Sequence, residues 1–182
     1  MCVKPNCLYG DIKPPMILSN NVINYVESQK YLGVTICSNR HDDVDILQQC
    51  RSLYGRGNTI IKSFRNCTDE VKCQLFKSFC SNIYCSPLWN LFKKESMRRL
   101  KVAYNRIFRI LLELEPRLSM SSAFVQRSMD SFTVLLRKAI VGFKQRLSET
   151  CNSLVKTILN SLYFISCTLS KSWDKNIYKL KI

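Results

Sequence analysis

The stretch Lys30-Tyr31-Leu32-Gly33-Val34-Thr35-Ile36 divides this chain into two halves of different periodicity. Before it lie short alternating or β-branched runs broken by Pro, Gly and Asn. After it, apolar residues recur every three or four positions with few breaks until Pro87, the pattern of amphipathic helices. The stretch itself reads as one strand: Tyr, Val, Thr and Ile suit a pleated, half-buried surface, and Gly33 admits close backbone approach. The chain is therefore expected to be mainly α, with a short antiparallel β-meander followed by a helical bundle.

Residues 1–4 read as a strand cut off at its beginning. Pro14-Pro15 marks a turn, Met16-Ile17-Leu18 a short strand, Asn20-Asn21 a tight turn and residues 22–26 the returning strand. Glu27-Ser28-Gln29 is the next turn. The first long helix is expected to start near Asn39, with Asp42, Asp43 and Asp45 favourably placed at the positive end of its dipole. Its buried stripe is Val44, Leu47, Cys50, Tyr54, Gly57, Ile61 and Phe64, and Gly55 and Gly57 point to a close helix contact. Thr68 caps a second helix with Val71, Leu75, Phe76, Phe79, Cys80, Ile83 and Tyr84 as its apolar face, ended or kinked by Pro87. A third runs from about Glu95 to Leu114 with Leu100, Ala103, Ile107, Ile110, Leu111 and Leu114 inward, stopped by Pro116. A short helix near 123–128, another over 132–147 and a last apolar one from Cys151 to about Leu169 follow. The segments are thus 1–38 (strands), 39–150 (helical domain) and 151–182 (helical extension and tail).

Charge is unevenly distributed. The formal net charge is +15 over 182 residues, a field that favours a polyanionic partner. Residues 93–147 hold 13 Lys and Arg against 4 acids, whereas residues 41–92 hold 6 against 5. On the third helix Arg98, Lys101, Asn105 and Arg109 share a face through i, i+3 and i+4 spacing. Arg99 and Arg106 widen it, and Lys93 and Lys94 extend it upstream. Within 93–109 Glu95 is the one acid against seven cations, and solvated faces normally mix signs. This face is the candidate phosphate-binding surface.

Motifs for chemistry are few. The chain has 10 cysteines and one histidine, His41, and no Cys-x-x-Cys pair, so zinc-ribbon and zinc-knuckle spacings fail. Asp42-Asp43 is the pair that most invites a two-magnesium reading, but it follows Asn39-Arg40-His41 and opens a helix. The helix-start reading is preferred. No phosphate-cradling glycine loop and no nucleophile with a partner base is present. The beginning lacks the apolar core of a signal peptide, and the uncharged run 157–170 is too short to span a bilayer. A reduced, intracellular protein in the nucleus or cytoplasm, without membrane association, is expected.

In order along the chain, four blocks resemble the C-terminal part of the reverse transcriptase of non-LTR (LINE-type, jockey-like) retrotransposons. They are Tyr31-Leu32-Gly33-Val34; Leu53-Tyr54-Gly55-Arg56-Gly57-Asn58; Val71-Lys72 with Leu75-Phe76-Lys77-Ser78-Phe79-Cys80 and Tyr84; and Leu100-Lys101-Val102-Ala103-Tyr104-Asn105-Arg106 with Arg109 and Pro116-Arg117. The resemblance covers about residues 1–150. It implies palm-edge strands followed by a thumb-like helical domain that holds a template–primer duplex. Tyr31, Leu32 and Gly33 would lie near the grip on the primer terminus. The family's aromatic-Ala-Asp-Asp turn would precede Met1, so the resemblance implies a fragment without catalytic aspartates, with Mg2+ expected only in the complete parent enzyme.

Two functions follow as expectations. The first is a fragment of an RNA-directed DNA polymerase that binds an RNA/DNA template–primer duplex non-specifically, through Lys93, Lys94, Arg98, Arg99, Lys101, Arg106 and Arg109. The missing polymerase portion is a possible second partner. The other is a helical protein-interaction module of retrotransposon origin that no longer binds nucleic acid.

Overall fold

The computed structural model describes residues 2–3 and 16–178, with side chains from 16 to 175. Pro14-Pro15 and the last four residues lie outside the described residues. The chain is mainly α, with strand pairs preceding a helical bundle.

The strands do not form a single meander. β1 (Cys2–Val3) pairs in parallel with β4 (Tyr25–Val26), β2 (Met16–Leu18) pairs antiparallel with β3 (Asn21–Ile23), and β5 (Ser28–Tyr31) pairs antiparallel with β6 (Val34–Cys37). The turn between β2 and β3 is at Ser19-Asn20, one residue earlier than expected, with φ of 48° and 63°. The 30–36 stretch is likewise a hairpin rather than one strand, and Glu27-Ser28-Gln29 is not its turn. Tyr31 faces Val34 in register, and Leu32 (φ 47°) and Gly33 (φ 85°) make the two-residue turn. Two positive φ values in succession match the twist of paired strands, and glycine adopts them without steric cost.

The first helix, α1 (Asp43–Ser63), starts later than Asn39 because Arg40 takes φ 59° and the Asn39 side chain accepts the His41 amide at 2.9 Å. Its buried stripe is Ile46, Leu53, Gly57 and Ile60, with Cys50 half-buried between them. Val44 and Phe64 are exposed. The stripe is rotated by about one position because Asp45, polar and therefore not counted as core, points inward at 1% exposure.

In α2 (Asp69–Cys80) Lys72, Phe76 and Cys80 are buried, followed by Ile83; Val71, Phe79 and Tyr84 are exposed. The helix ends well before Pro87, which lies inside a 3-10 turn, Ser86–Leu88. The third helix, α3 (Lys94–Leu111), buries Leu100, Ala103, Tyr104, Ile107, Phe108 and Leu111, while Ile110, expected inward, is exposed. Then come α4 (Met120–Gln126) and α5 (Phe132–Glu149). The last stretch is not one helix but three: α6 (Ser153–Asn160), α7 (Leu162–Ser166) and α8 (Thr168–Tyr178). Asn152 opens α6 and Ser161 separates α7 from it, each accepting the first free amides of its helix on its side chain.

Residues near the start of α1 contact the start of α3, and Gly57 lies against Ile107 further along both, so the two helices run parallel with α2 returning between them. Around them Phe76 packs edge-on to Tyr104 and Phe108, each at 4.9 Å between ring centres, and Phe124 stacks on Phe108 at 4.4 Å. Such pairs add to burial beyond their area. The Tyr104 hydroxyl donates to the Asp130 carbonyl at 3.0 Å, and burial pushes its pKa up to about 12. The C-terminal extension also reaches the core: Trp173 is 3% exposed and donates to the Pro87 carbonyl at 2.7 Å. Among the described residues no helix is long and apolar enough to cross a membrane, and the described cysteines are free thiols.

The two glycines of α1 predict opposite substitution effects. A Cβ on Gly57 would stand 2.6 Å from Ile107 Cγ2, whereas one on Gly55 meets nothing within 4 Å. Gly57→Ala should therefore destabilise by about 1–3 kcal/mol through overpacking. Gly55→Ala should stabilise by up to about 1 kcal/mol through helix propensity. Urea unfolding of both variants checks the pair; the same sign for both would contradict the packing described.

Candidate nucleic-acid interface

The basic face is carried by α3; one carboxylate of α1 binds the start of that helix, and two neighbouring ones bind the segment before it. Asp42, the N-cap of α1, accepts the Asn90 and Leu91 amides at 2.8 and 3.0 Å and donates its own amide to the Leu91 carbonyl at 2.8 Å. Asp43 accepts the Lys93 amide at 2.9 Å and the Ser96 hydroxyl at 2.6 Å, serving as a cap for α3 from another helix. Asp45 accepts the buried Trp89 indole N–H at 2.8 Å and the Thr35 amide at 3.3 Å. The adjacent aspartates are thus the start of a helix, as the sequence suggests, with their oxygens on backbone and side-chain donors.

Their titration differs accordingly. Burial pushes the Asp42 carboxyl above its ordinary value, against the pull of the Asn90 and Leu91 amides. For Asp43 burial acts in the same direction, but the bonds from Ser96 and Lys93, with the Lys93 and His41 charges, outweigh it and the carboxyl lies below its ordinary value. Asp43 therefore adds stability that is present above its ordinary value of 3.8 and fades as pH falls through the lower folded value. Asp42 acts oppositely, since its ionisation in the fold is disfavoured.

With one side of α3 filled by the aromatic core, the cations come out on the other. Lys93, Lys94, Arg98, Arg99, Lys101 and Arg106 are all exposed. Two of them are bound on the surface: Glu95 accepts Arg98 Nε at 2.7 Å and Nη2 at 2.8 Å, and Arg99 Nε at 3.1 Å. This fork leaves one carboxylate between two guanidiniums, so the face keeps net positive charge. Arg109 departs from the set. It is half-buried, donates Nη2 to the Leu118 carbonyl at 3.0 Å and has a buried Nε without a partner, so it ties down the chain after α3.

Tyr31, Leu32 and Gly33 are brought together at the tip of the β5–β6 hairpin, with Tyr31 and Leu32 exposed. Tyr84, at the end of the α2 region, clasps that tip: its hydroxyl donates to the Leu32 carbonyl at 2.9 Å, and a Cβ on Gly33 would stand 3.2 Å from its ring. The sequence pattern placed Tyr84 in the core, and the clasp between residues 52 apart leaves no local signal. The Asp45–Trp89 bond is hidden in the same way. Among the described residues no three His, Cys, Asp or Glu side chains are grouped to hold a metal ion. No protein-family model matches the chain, and no curated protein or solved structure is significantly similar to it.

The fork predicts a titration. Hydrogen bonds from Arg98 and Arg99 bring the Glu95 carboxyl down from 4.5 to about 2. Carbon-detected NMR of the side-chain carboxyl should find it ionised through pH 3, and Arg98→Ala should move its midpoint upward. A midpoint at the ordinary value in the unmodified protein would mean that the fork is open in solution.

Proposed function

We propose that this chain binds the backbone of a nucleic-acid duplex non-specifically through the exposed face of α3, as the thumb-like part of a non-LTR retrotransposon reverse transcriptase. The observation that carries this reading is the face itself, where Lys94, Arg98, Arg99, Lys101 and Arg106 emerge together with Glu95 as the sole acid of the helix. Lys and Arg on a straight helix can track phosphates without reading bases, which gives register and affinity but no sequence preference. The four motif blocks support the family reading, and a template–primer hybrid is the duplex it implies. Tyr31, Leu32 and Gly33 are proposed as the primer-side contact, since the tip they form is exposed and held by Tyr84. Arg109 is left out of the phosphate set because the Leu118 carbonyl engages it. No catalytic step is assigned to these residues; nucleotide transfer would belong to carboxylates outside the resembling blocks.

A protein-interaction module is the competing reading. Exposed apolar side chains favour it: Ile17, Leu18 and Val22 on the β2–β3 hairpin, and Leu154, Leu162 and Tyr163 on α6 and α7. These surfaces suit the docking of further protein, including a remaining polymerase portion, and are compatible with α3 holding nucleic acid.

Salt dependence separates the two. If about four cations neutralise phosphates, affinity for an RNA–DNA hybrid should fall on the order of a hundredfold from about 50 to about 200 mM salt. Arg106→Gln should weaken binding a few-fold at low salt, and Glu95→Gln, which releases Arg98 and Arg99, should strengthen it. Fluorescence anisotropy with a labelled hybrid reads all three. Weak binding with a flat salt response would reject the proposal in favour of the protein-interaction reading.

A further inference from the structure

We propose that a second site, the cavity enclosed by the Ser86–Leu88 turn, α3, α5 and α8, binds a small amphipathic organic acid. Its apolar body would lie inside, and its carboxylate or phosphate would meet Arg137 and Lys101. The cavity measures about 350 Å³, within the size range of small-molecule sites. Apolar side chains make up most of its walls, with the aromatic rings of Trp89, Phe92, Phe132 and Trp173 among them. No acidic side chain among the described residues lines it.

Three polar side chains at this cavity, Arg137, Ser86 and Lys101, have no partner among the described residues. Arg137 is half-buried, carries five N–H donors and makes no hydrogen bond or ion pair with any described residue. The Ser86 hydroxyl is buried and also unpaired. Lys101, exposed at the margin, has no acid beside it. Two other cations of α5 have acids of their own: Lys138 is bound by Asp130 and Lys144 by Asp174, each within 2.7 Å. Arg137 is half-buried, and an anion that accepts from its guanidinium beside apolar walls is held by charge-assisted bonds. A purely apolar ligand would leave that group unsatisfied, and a hydrophilic anion such as free phosphate would leave the aromatic walls unfilled. An acid with an apolar body satisfies both.

This site is independent of the duplex reading and shares only Lys101 with it. The protein supplies its own probe, since its two tryptophans, Trp89 and Trp173, both line the cavity. Titration of the full chain with octanoate should change tryptophan fluorescence saturably. Octanol, of the same length without the charge, should bind about tenfold or more weakly, the worth of one hydrogen-bonded charge. Arg137→Met keeps the apolar stem and removes the donors, so it should abolish the preference for the acid while the unfolding midpoint is retained. Arg137→Gln is the second variant if Met disturbs folding, with the same expected loss. A fluorescence signal that does not saturate, equal affinity for acid and alcohol, or a preference that survives both substitutions would each overturn the proposal.

Discussion

Three carboxylates within four residues, Asp42, Asp43 and Asp45, join the parts of this protein that the rest depends on. They lie at the start of α1, and from there they accept donors from β6, from the segment 89–91 and from the first turn of α3. The chemistry suits the topology. α1 and α3 run parallel, so the positive ends of both helix dipoles meet on one side of the bundle. Carboxylates there satisfy free amides of one helix with side chains of the other, and they answer the summed dipole charge. Asp45 is the extreme case, almost fully buried yet bonded through both oxygens, as a buried polar group must be.

From that joint the surface properties of α3 follow. Once its start is fixed beside α1, Gly57 lets the two helices approach to where Ile107 fills the missing Cβ, and Phe76, Tyr104 and Phe108 close the core on the same side. The helix has no further freedom to rotate. Its cations emerge on the remaining arc, where Glu95 binds Arg98 and Arg99. The proposed duplex contact therefore uses a rigid element whose charge is set by sequence and whose direction is set by packing.

Much of this was legible from residues alone, and what was not has physical causes. The mainly α class, the helix-opening role of Asp42-Asp43, the close contact at Gly57 and the exposure of six of the seven cations all come from local periodicity. Local periodicity treats polar residues as outward, so the inward Asp45 and Lys72 displaced the expected stripes of α1 and α2 by about one position. It reads β-branched runs as continuous, so the Leu32-Gly33 turn was taken as strand interior. It treats uncharged helical stretches as unbroken, so the caps at Asn152 and Ser161 went unseen. Contacts between residues far apart in sequence, such as Trp89 with Asp45, Tyr84 with Leu32 and Trp173 with Pro87, left no pattern to read.

The most direct test of the acid joint is amide hydrogen exchange on Asp43→Ala, a substitution that removes the cap on α3 and leaves the buried Asp45 in place. Loss of protection confined to the first turn of α3, residues 93–97, with the second half of α1 unchanged, is the predicted result. Unaltered protection across those residues would contradict the account, because α3 would then be held at its start by something other than the carboxylates of α1.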